Sequence, residues 1–290
     1  MRMSPVILKR NYTVGCRRRQ LTTNQNASNP NLTNQRQDRG GCSSTSGDTM
    51  WNCSPWALLP PVYSVCTAAG LWAVYFVAVN DEQIVPLSSQ GRRVNGSWYP
   101  PYISVAGNFP PASCIFSEVM NLAAFVGLII AVLRYLQLKH TIVKPWLNIG
   151  SLVGFAIGCF GMTLVGNFQV FTDKMIHELG TLMTFGLGTL FCWVQSFITL
   201  KVNLRNEGRK VGIGRFLLSG AVTVCMIVRP VLMMKDLHMH AAGCQWALVM
   251  FFLAFMGTFA IEFRHNRFEM VCTDNLQTHS EMYRTELDQL

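Results

Sequence analysis

Six long apolar runs constrain this chain more than any other feature: Ala57–Val79, Ser113–Leu133, Trp146–Gly166, Leu179–Leu200, Phe216–Met234 and Cys244–Ile261. Each is about 18–23 residues long, close to the ~20 residues a helix needs to cross a hydrocarbon layer ~30 Å thick. In hydrocarbon a backbone must satisfy its own hydrogen bonds, so such a run crosses as a helix or not at all. The soluble alternative, helices buried in a large globular core, needs amphipathic partners to cover them, and the sequence supplies none. The expected fold is an all-α membrane protein with six transmembrane helices.

Charge orients the helices. A net charge of +9 on a 290-residue chain would suggest nucleic acid in a soluble domain. Here the basic residues sit between apolar runs, where they report topology instead, and no nucleic-acid partner is expected. Residues 1–55 carry eight Lys/Arg. The second connector adds Arg134, Lys139 and Lys144, and the fourth adds Lys201, Arg205, Arg209, Lys210 and Arg215. The other connectors are poorer, with Arg92 and Arg93, Lys174, and Lys235. Both termini and the second and fourth connectors are therefore expected in the cytosol. Of the sequons at Asn11, Asn26, Asn31, Asn52 and Asn95, only Asn95 then faces the glycosylation machinery.

The chain divides into a basic, disordered N-terminal extension (1–55), a six-span transmembrane domain (56–263) and a cytosolic tail (264–290). The extension is rich in Asn, Ser, Thr, Gln and Arg, with Arg17-Arg18-Arg19 and no acid before Asp38, a composition that cannot form a core. A mitochondrial presequence is the alternative, weakened by the lack of a sustained amphipathic face. Met50 offers an alternative start just before the first span. No cleavable signal peptide is apparent, so the first span is expected to act as the signal anchor.

Several residues inside the runs call for a role. Gly150, Gly154 and Gly158 recur at intervals of four, as do Gly180 and Gly188 with Thr184 between them. Small residues on one face let membrane helices approach closely, so these are expected at helix contacts. Glu118 and Arg229 are ionisable groups in apolar runs, where a charge costs at least ~2.5–3.5 kcal/mol at mid-span. At ~1.5 Å per residue each lies roughly 7–8 Å below the outer boundary, which makes an intramembrane ion pair geometrically possible. The alternative is that Arg229 snorkels to the headgroups, helped by Pro230. Cys114 and Cys244 both fall near the outer surface, where a disulfide is permitted. Cys53 and Cys272 flank spans on the cytosolic side as palmitoylation candidates. His238-Met239-His240 is read as a solvated pair of histidines without a carboxylate cluster to complete a metal site. No phosphate-binding glycine loop, nucleophile elbow or H-E-x-x-H is present, so no enzyme activity, metal or cofactor is expected.

The first outer loop carries Pro100-Pro101 and Pro110-Pro111, which restrict its backbone. Trp98, Tyr99, Tyr102 and Phe109 are expected to rest in the headgroup layer as an aromatic belt.

Motifs across most of the chain carry a resemblance. They are Gly70-Leu71-Trp72 with Val74-Tyr75-Phe76, Pro101-Tyr102-Ile103-Ser104, Pro110-Pro111-Ala112-Ser113-Cys114 and Val165-Gly166-Asn167-Phe168-Gln169. Two more follow: Leu200-Lys201-Val202-Asn203 with Asn206-Glu207-Gly208-Arg209, and Glu262-Phe263-Arg264-His265. On these the sequence resembles the transmembrane protein 150 branch of the damage-regulated autophagy modulator family. Glu118 and Arg229-Pro230 depart from the pattern, and the resemblance does not extend to residues 1–50.

The resemblance implies a component of a mechanically activated cation channel, with the six-span bundle as the sensing element. It also implies an alternative: a non-conducting regulator of another channel, of autophagy or of a lipid kinase complex. The fifth connector is too short for a re-entrant pore helix and filter. The expected partners are the bilayer, including anionic lipids, and another channel subunit or a second copy of the chain. Anionic lipid is expected at the lipid-facing basic residues Lys201, Arg205, Arg209, Lys210, Arg215, Arg264 and Arg267. The expected location is the cell membrane, with lysosomal or endosomal membrane as the further possibility.

Overall fold

The computed structural model describes residues 54–89, 99–142, 144–202 and 208–266. Among these residues it is all helical, with nothing more strand-like than one isolated bridge between Ile84 and Tyr99. The helices are α1 (Leu59–Asn80), α2 (Ile103–Ala106), α3 (Ala112–Leu138), α4 (Pro145–Asn167), α5 (Lys174–Leu182), α6 (Gly188–Val202), α7 (Gly208–Met234), α8 (His238–Gly257) and α9 (Ala260–Phe263). A 3-10 turn, Pro55–Leu58, leads into α1, and a π-helical turn, Met183–Leu187, joins α5 to α6 in one rod. Six of these rods are long and apolar enough to cross a membrane, so the chain is a multi-pass membrane protein.

Local chemistry sets the ends. Pro145 opens α4 at a position where its missing N–H is not needed. Asp173 caps α5, its carboxylate accepting from Ile176 N at 3.2 Å. That cap starts the fourth rod five residues before its apolar run. The fifth rod likewise starts at Gly208, ahead of its run, and takes Arg209, Lys210 and Arg215 into the helix.

The rods form a closed ring. Each of α3–α4, α4–α6, α6–α7 and α7–α8 packs as a neighbouring pair, α8 returns to α1, and α1 packs on α3. The centre of the ring is filled by side chains. Phe155 and Phe191 lie 4.3 Å apart between ring centroids, and Phe252, Phe255 and Phe259 continue the layer. Between this layer and α2 sits a cavity of about 70 Å³, lined by residues such as Thr67, Met120, Thr184, Val222, Gln245 and Leu248.

α2 covers the end of the ring opposite the basic connectors. Gln245 Oε1 accepts from Ile103 N at 3.2 Å, and Trp246 Nε1 donates to Pro101 O at 3.0 Å. Trp246 in turn stacks on Trp72 at 4.5 Å. The aromatic belt expected for the outer loop is therefore corrected at Tyr102, which is buried in this cap. Tyr99 is exposed and clusters with Phe109 and Phe171. Trp98 lies outside the described residues.

The glycines divide into two groups. Gly180 faces Gly161 so closely that a Cβ on either would stand 2.8 Å from the other's carbonyl oxygen. Gly158 faces the π turn and Gly188 faces Phe252 at ordinary contact distance. Gly150 and Gly154 are the correction. A Cβ there would meet nothing within 4 Å, because these residues line an open groove of about 210 Å³ between α4 and α6. Gly161→Val should therefore crowd the α4–α5 crossing and destabilise the protein by ~1–3 kcal/mol, read as a lower melting temperature in detergent. Gly154→Val should leave the melting temperature unchanged; equal effects from both would contradict this packing.

A buried arginine–glutamate–arginine cluster

The most concentrated chemistry lies at the basic end of the ring, where helices distant in sequence each contribute polar side chains to one buried cluster. On α3, Arg134 and Gln137 share a face three residues apart. On α6, Gln195 and Thr199 do so at four, the spacing that stacks side chains along a helix. Arg215 comes from the second turn of α7, and Glu262 from α9. Thr258, in the break between α8 and α9, stands four residues before Glu262.

Glu262 is the centre. Its Oε2 accepts from Arg215 Nη2 at 2.6 Å, and its Oε1 accepts from Arg215 Nη1 at 2.7 Å, a bidentate pair. Oε1 also lies 3.1 Å from Arg134 Nη2. Every other guanidinium nitrogen has an acceptor. Arg134 Nη1 donates to Gln137 Oε1 at 2.6 Å, and Arg134 Nε donates to Gln195 Oε1 at 3.2 Å. Arg215 Nε donates to Thr258 Oγ1 at 2.8 Å. Thr199 Oγ1 accepts from both arginines and donates to Gln195 O. Gln195 Nε2 extends the network to Ser151 Oγ on α4 at 2.9 Å.

Both arginines are 0% exposed and Glu262 is 9% exposed. Two cations against one anion leave a formal excess of one positive charge. The aromatic floor offsets part of it, with the Arg215 guanidinium 4.4 Å and the Arg134 guanidinium 5.4 Å from the centroid of Phe259. The cluster therefore ties α3, α6, α7 and α9 together and reaches α4 through Ser151. It contains no nucleophile–base pair, and no group of metal-ligating residues occurs among the described residues.

Arg215, expected to face lipid, is instead a core residue: α7 begins before it and turns it inward. Lys201, Arg209 and Lys210 are exposed, with Lys201 Nζ 5.6 Å from the ring centre of Phe197. Arg264 is partly buried and donates from Nε to His265. Arg205, Arg267, Asn95, Cys53 and Cys272 lie outside the described residues.

Glu118 and Arg229 do not pair. α3 packs between α1 and α4, while α7 packs between α6 and α8, so the two charges stand on helices that are not neighbours in the ring. Glu118 is exposed, and the Arg229 guanidinium lies over Tyr102. Cys114 and Cys244 are free thiols for the same reason, on α3 and α8. Cys244 Sγ instead donates to Cys225 O at 3.3 Å.

The sequence reading missed Glu262 as a functional residue, along with its partners Gln195, Thr199, Ser151 and Thr258. A signal was present. Glu262 is an acid at the C-terminal end of an apolar run, and Gln195 and Thr199 are polar residues at helical spacing within another.

Residues 55–266 match the family model described as the Frag1/DRAM/Sfk1/Cwh43P N-terminal domain. The chain is similar to "Modulator of macroautophagy TMEM150B" of Danio rerio, 37% identical over 216 residues, covering 74% of this chain and 88% of that protein. It is 32% identical to the Homo sapiens protein of the same name over 208 residues, 71% of this chain and 85% of the relative. It is 30% identical to "Transmembrane protein 150A" of Xenopus laevis over 226 residues, 72% and 83% respectively. No solved structure matches the chain.

Removing one member of a buried ion cluster strands the others, at about 3–5 kcal/mol, whereas replacing all of them by apolar groups is often neutral. Glu262→Gln should therefore cause a large loss of the monodisperse species after mild heating, followed by size-exclusion chromatography. The triple variant Arg134→Met, Arg215→Met, Glu262→Leu should recover much of it. A single variant as stable as wild type would contradict a closed cluster.

Proposed function

The chain belongs to the Frag1/DRAM/Sfk1/Cwh43P family, and we propose that it is a non-conducting multi-pass membrane regulator of macroautophagy; its B-type relatives are named modulators of macroautophagy. The observation that carries the non-conducting part is the occupied axis of the ring. Phe155, Phe191, Phe255 and Phe259 close its middle, α2 covers one end, and the arginine–glutamate cluster fills the other. A conducting path would have to part the aromatic layer and break charge-assisted hydrogen bonds at the same time. That weighs against the channel-component reading and for the regulator.

In this reading the bundle is a rigid platform. The cluster fixes the basic end, which carries the exposed Lys201, Arg209 and Lys210 beside the α6–α7 connector. With that end toward the cytosol, the basic residues would hold the connector against anionic lipid, each contributing ~1 kcal/mol near the surface. A protein partner of the autophagy machinery would then meet a surface of fixed geometry. Endosomal, lysosomal or cell membrane would all provide the anionic leaflet.

Autophagic flux tests the role. In cells lacking the chain, re-expression of wild type should shift the turnover of a lipidated autophagosome marker, measured with and without a lysosomal inhibitor. Lys201→Glu with Lys210→Glu should abolish that shift at matched membrane abundance. Unchanged flux on removal and re-expression would refute the regulator. Stretch-evoked single-channel current from the purified chain in liposomes would restore the channel reading.

A further inference from the structure

Arg229 is a second, separate feature. It stands five residues before the end of α7, about 7–8 Å along the helix at ~1.5 Å per residue, at the opposite end from the arginine–glutamate cluster. α7 is the rod least covered by the rest of the protein, with only 11% of its apolar window buried. Ile227, Val228 and Val231 beside Arg229 are exposed apolar side chains.

Among the described residues the guanidinium is not neutralised. Among the described residues no carboxylate lies within 4 Å of it, and Arg229 Nε is buried without a hydrogen-bond acceptor. The contact that positions it is the ring of Tyr102, whose centroid is 5.8 Å from the guanidinium carbon. Tyr102 is itself fixed, its hydroxyl 3.1 Å from His238 Nδ1. The nearest acid in the sequence, Asp236, is exposed and turned toward that histidine, with Oδ1 3.7 Å from His238 Nε2. Tyr102 is thus held by His238, and among the described residues no acceptor meets the guanidinium's nitrogens.

A charged guanidinium needs acceptors; Nε is closed off, so an outside anion meets the Nη1–Nη2 edge, whose donors have no acceptor among the described residues. At this depth, on a helix face flanked by exposed aliphatic side chains, the anion at hand is the phosphate of a phospholipid. Guanidinium matches phosphate in a planar, two-pronged geometry. We propose that Arg229 and Tyr102 form a phospholipid-binding site at the α7–α8 end of the bundle: Arg229 binds the phosphate diester, Tyr102 orients Arg229, and the acyl chains run along Ile227 and Val231. The site is independent of the regulatory role.

Native mass spectrometry of the full-length, delipidated chain in detergent tests this, using dioleoylphosphatidylglycerol as the probe. Wild type should retain one lipid that Arg229→Gln binds about tenfold more weakly, the scale of one hydrogen bond to a charged group. Arg229→Lys should be intermediate, since it keeps the charge but loses the two-pronged geometry. Glu118→Gln, at an exposed position on α3, should bind as wild type does. Dioleoylglycerol, which lacks the phosphate, should not distinguish the variants. Equal phosphatidylglycerol binding by wild type and Arg229→Gln would overturn the site. Displacement of the lipid by millimolar inorganic phosphate would overturn the lipid assignment. Should Arg229→Gln fail to purify as a monodisperse species, Tyr102→Leu serves in its place: weakened binding supports the site, and undiminished binding refutes it.

Discussion

The carboxylate of Glu262, held between two buried guanidiniums, is the interaction on which the architecture depends. An ionised group in hydrocarbon persists only if its charge and every donor or acceptor are met. Here the answer is distributed over helices far apart in sequence. Arg134 contributes from α3, Arg215 from α7, and Gln195 and Thr199 from α6. None of these can satisfy its bonds alone, so the helices must assemble in one arrangement. A purely apolar bundle would have no such demand, because lipid tails are as good a neighbour for Leu as another helix.

The rest of the ring follows from that fixed end. Phe259 lies beneath both guanidiniums and belongs to the aromatic layer, so the ionic cluster and the occluded axis are one continuous piece of packing. Above it, close approach of Gly161 and Gly180 sets the α4–α5 crossing next to the π-helical turn. π turns inside α-helices recur at functional positions, and this one contributes Thr184 and Phe185 to the axial cavity. At the far end, Trp246 and Gln245 fasten the α1–α3 connector by its backbone. The membrane regulator inferred from the relatives is thus a bundle fixed at both ends.

Much of the fold was legible because hydropathy and length carry it. All six runs became membrane-length rods, and family membership was readable in motifs that now have physical roles. Trp72 stacks on Trp246, and Pro101 accepts its indole N–H. The misreadings have a common cause: hydropathy locates a span but not its facing. Arg215 was assigned to a connector because charge interrupts an apolar run, although the helix continues through it. Glu118 and Arg229 matched in depth but not in angular position around the ring. Cys114 and Cys244 failed as a pair for the same reason. Gly150 and Gly154 shared a face with Gly158, yet the neighbouring helix diverges from them. Angular position emerges only when the helices are assembled, and the polar residues that set it are spread over the sequence.

Glu262 locks the last turn of the sixth rod into the bundle, and hydrogen–deuterium exchange in lipid nanodiscs measures this most directly. α9 is only four residues long and stands at the end of its rod, where an unsupported helix frays and exchanges rapidly. With the cluster closed, the amides of Glu262 and Phe263 should exchange as slowly as those in the middle of α3. Rapid exchange there, with α3 still protected, would contradict the account.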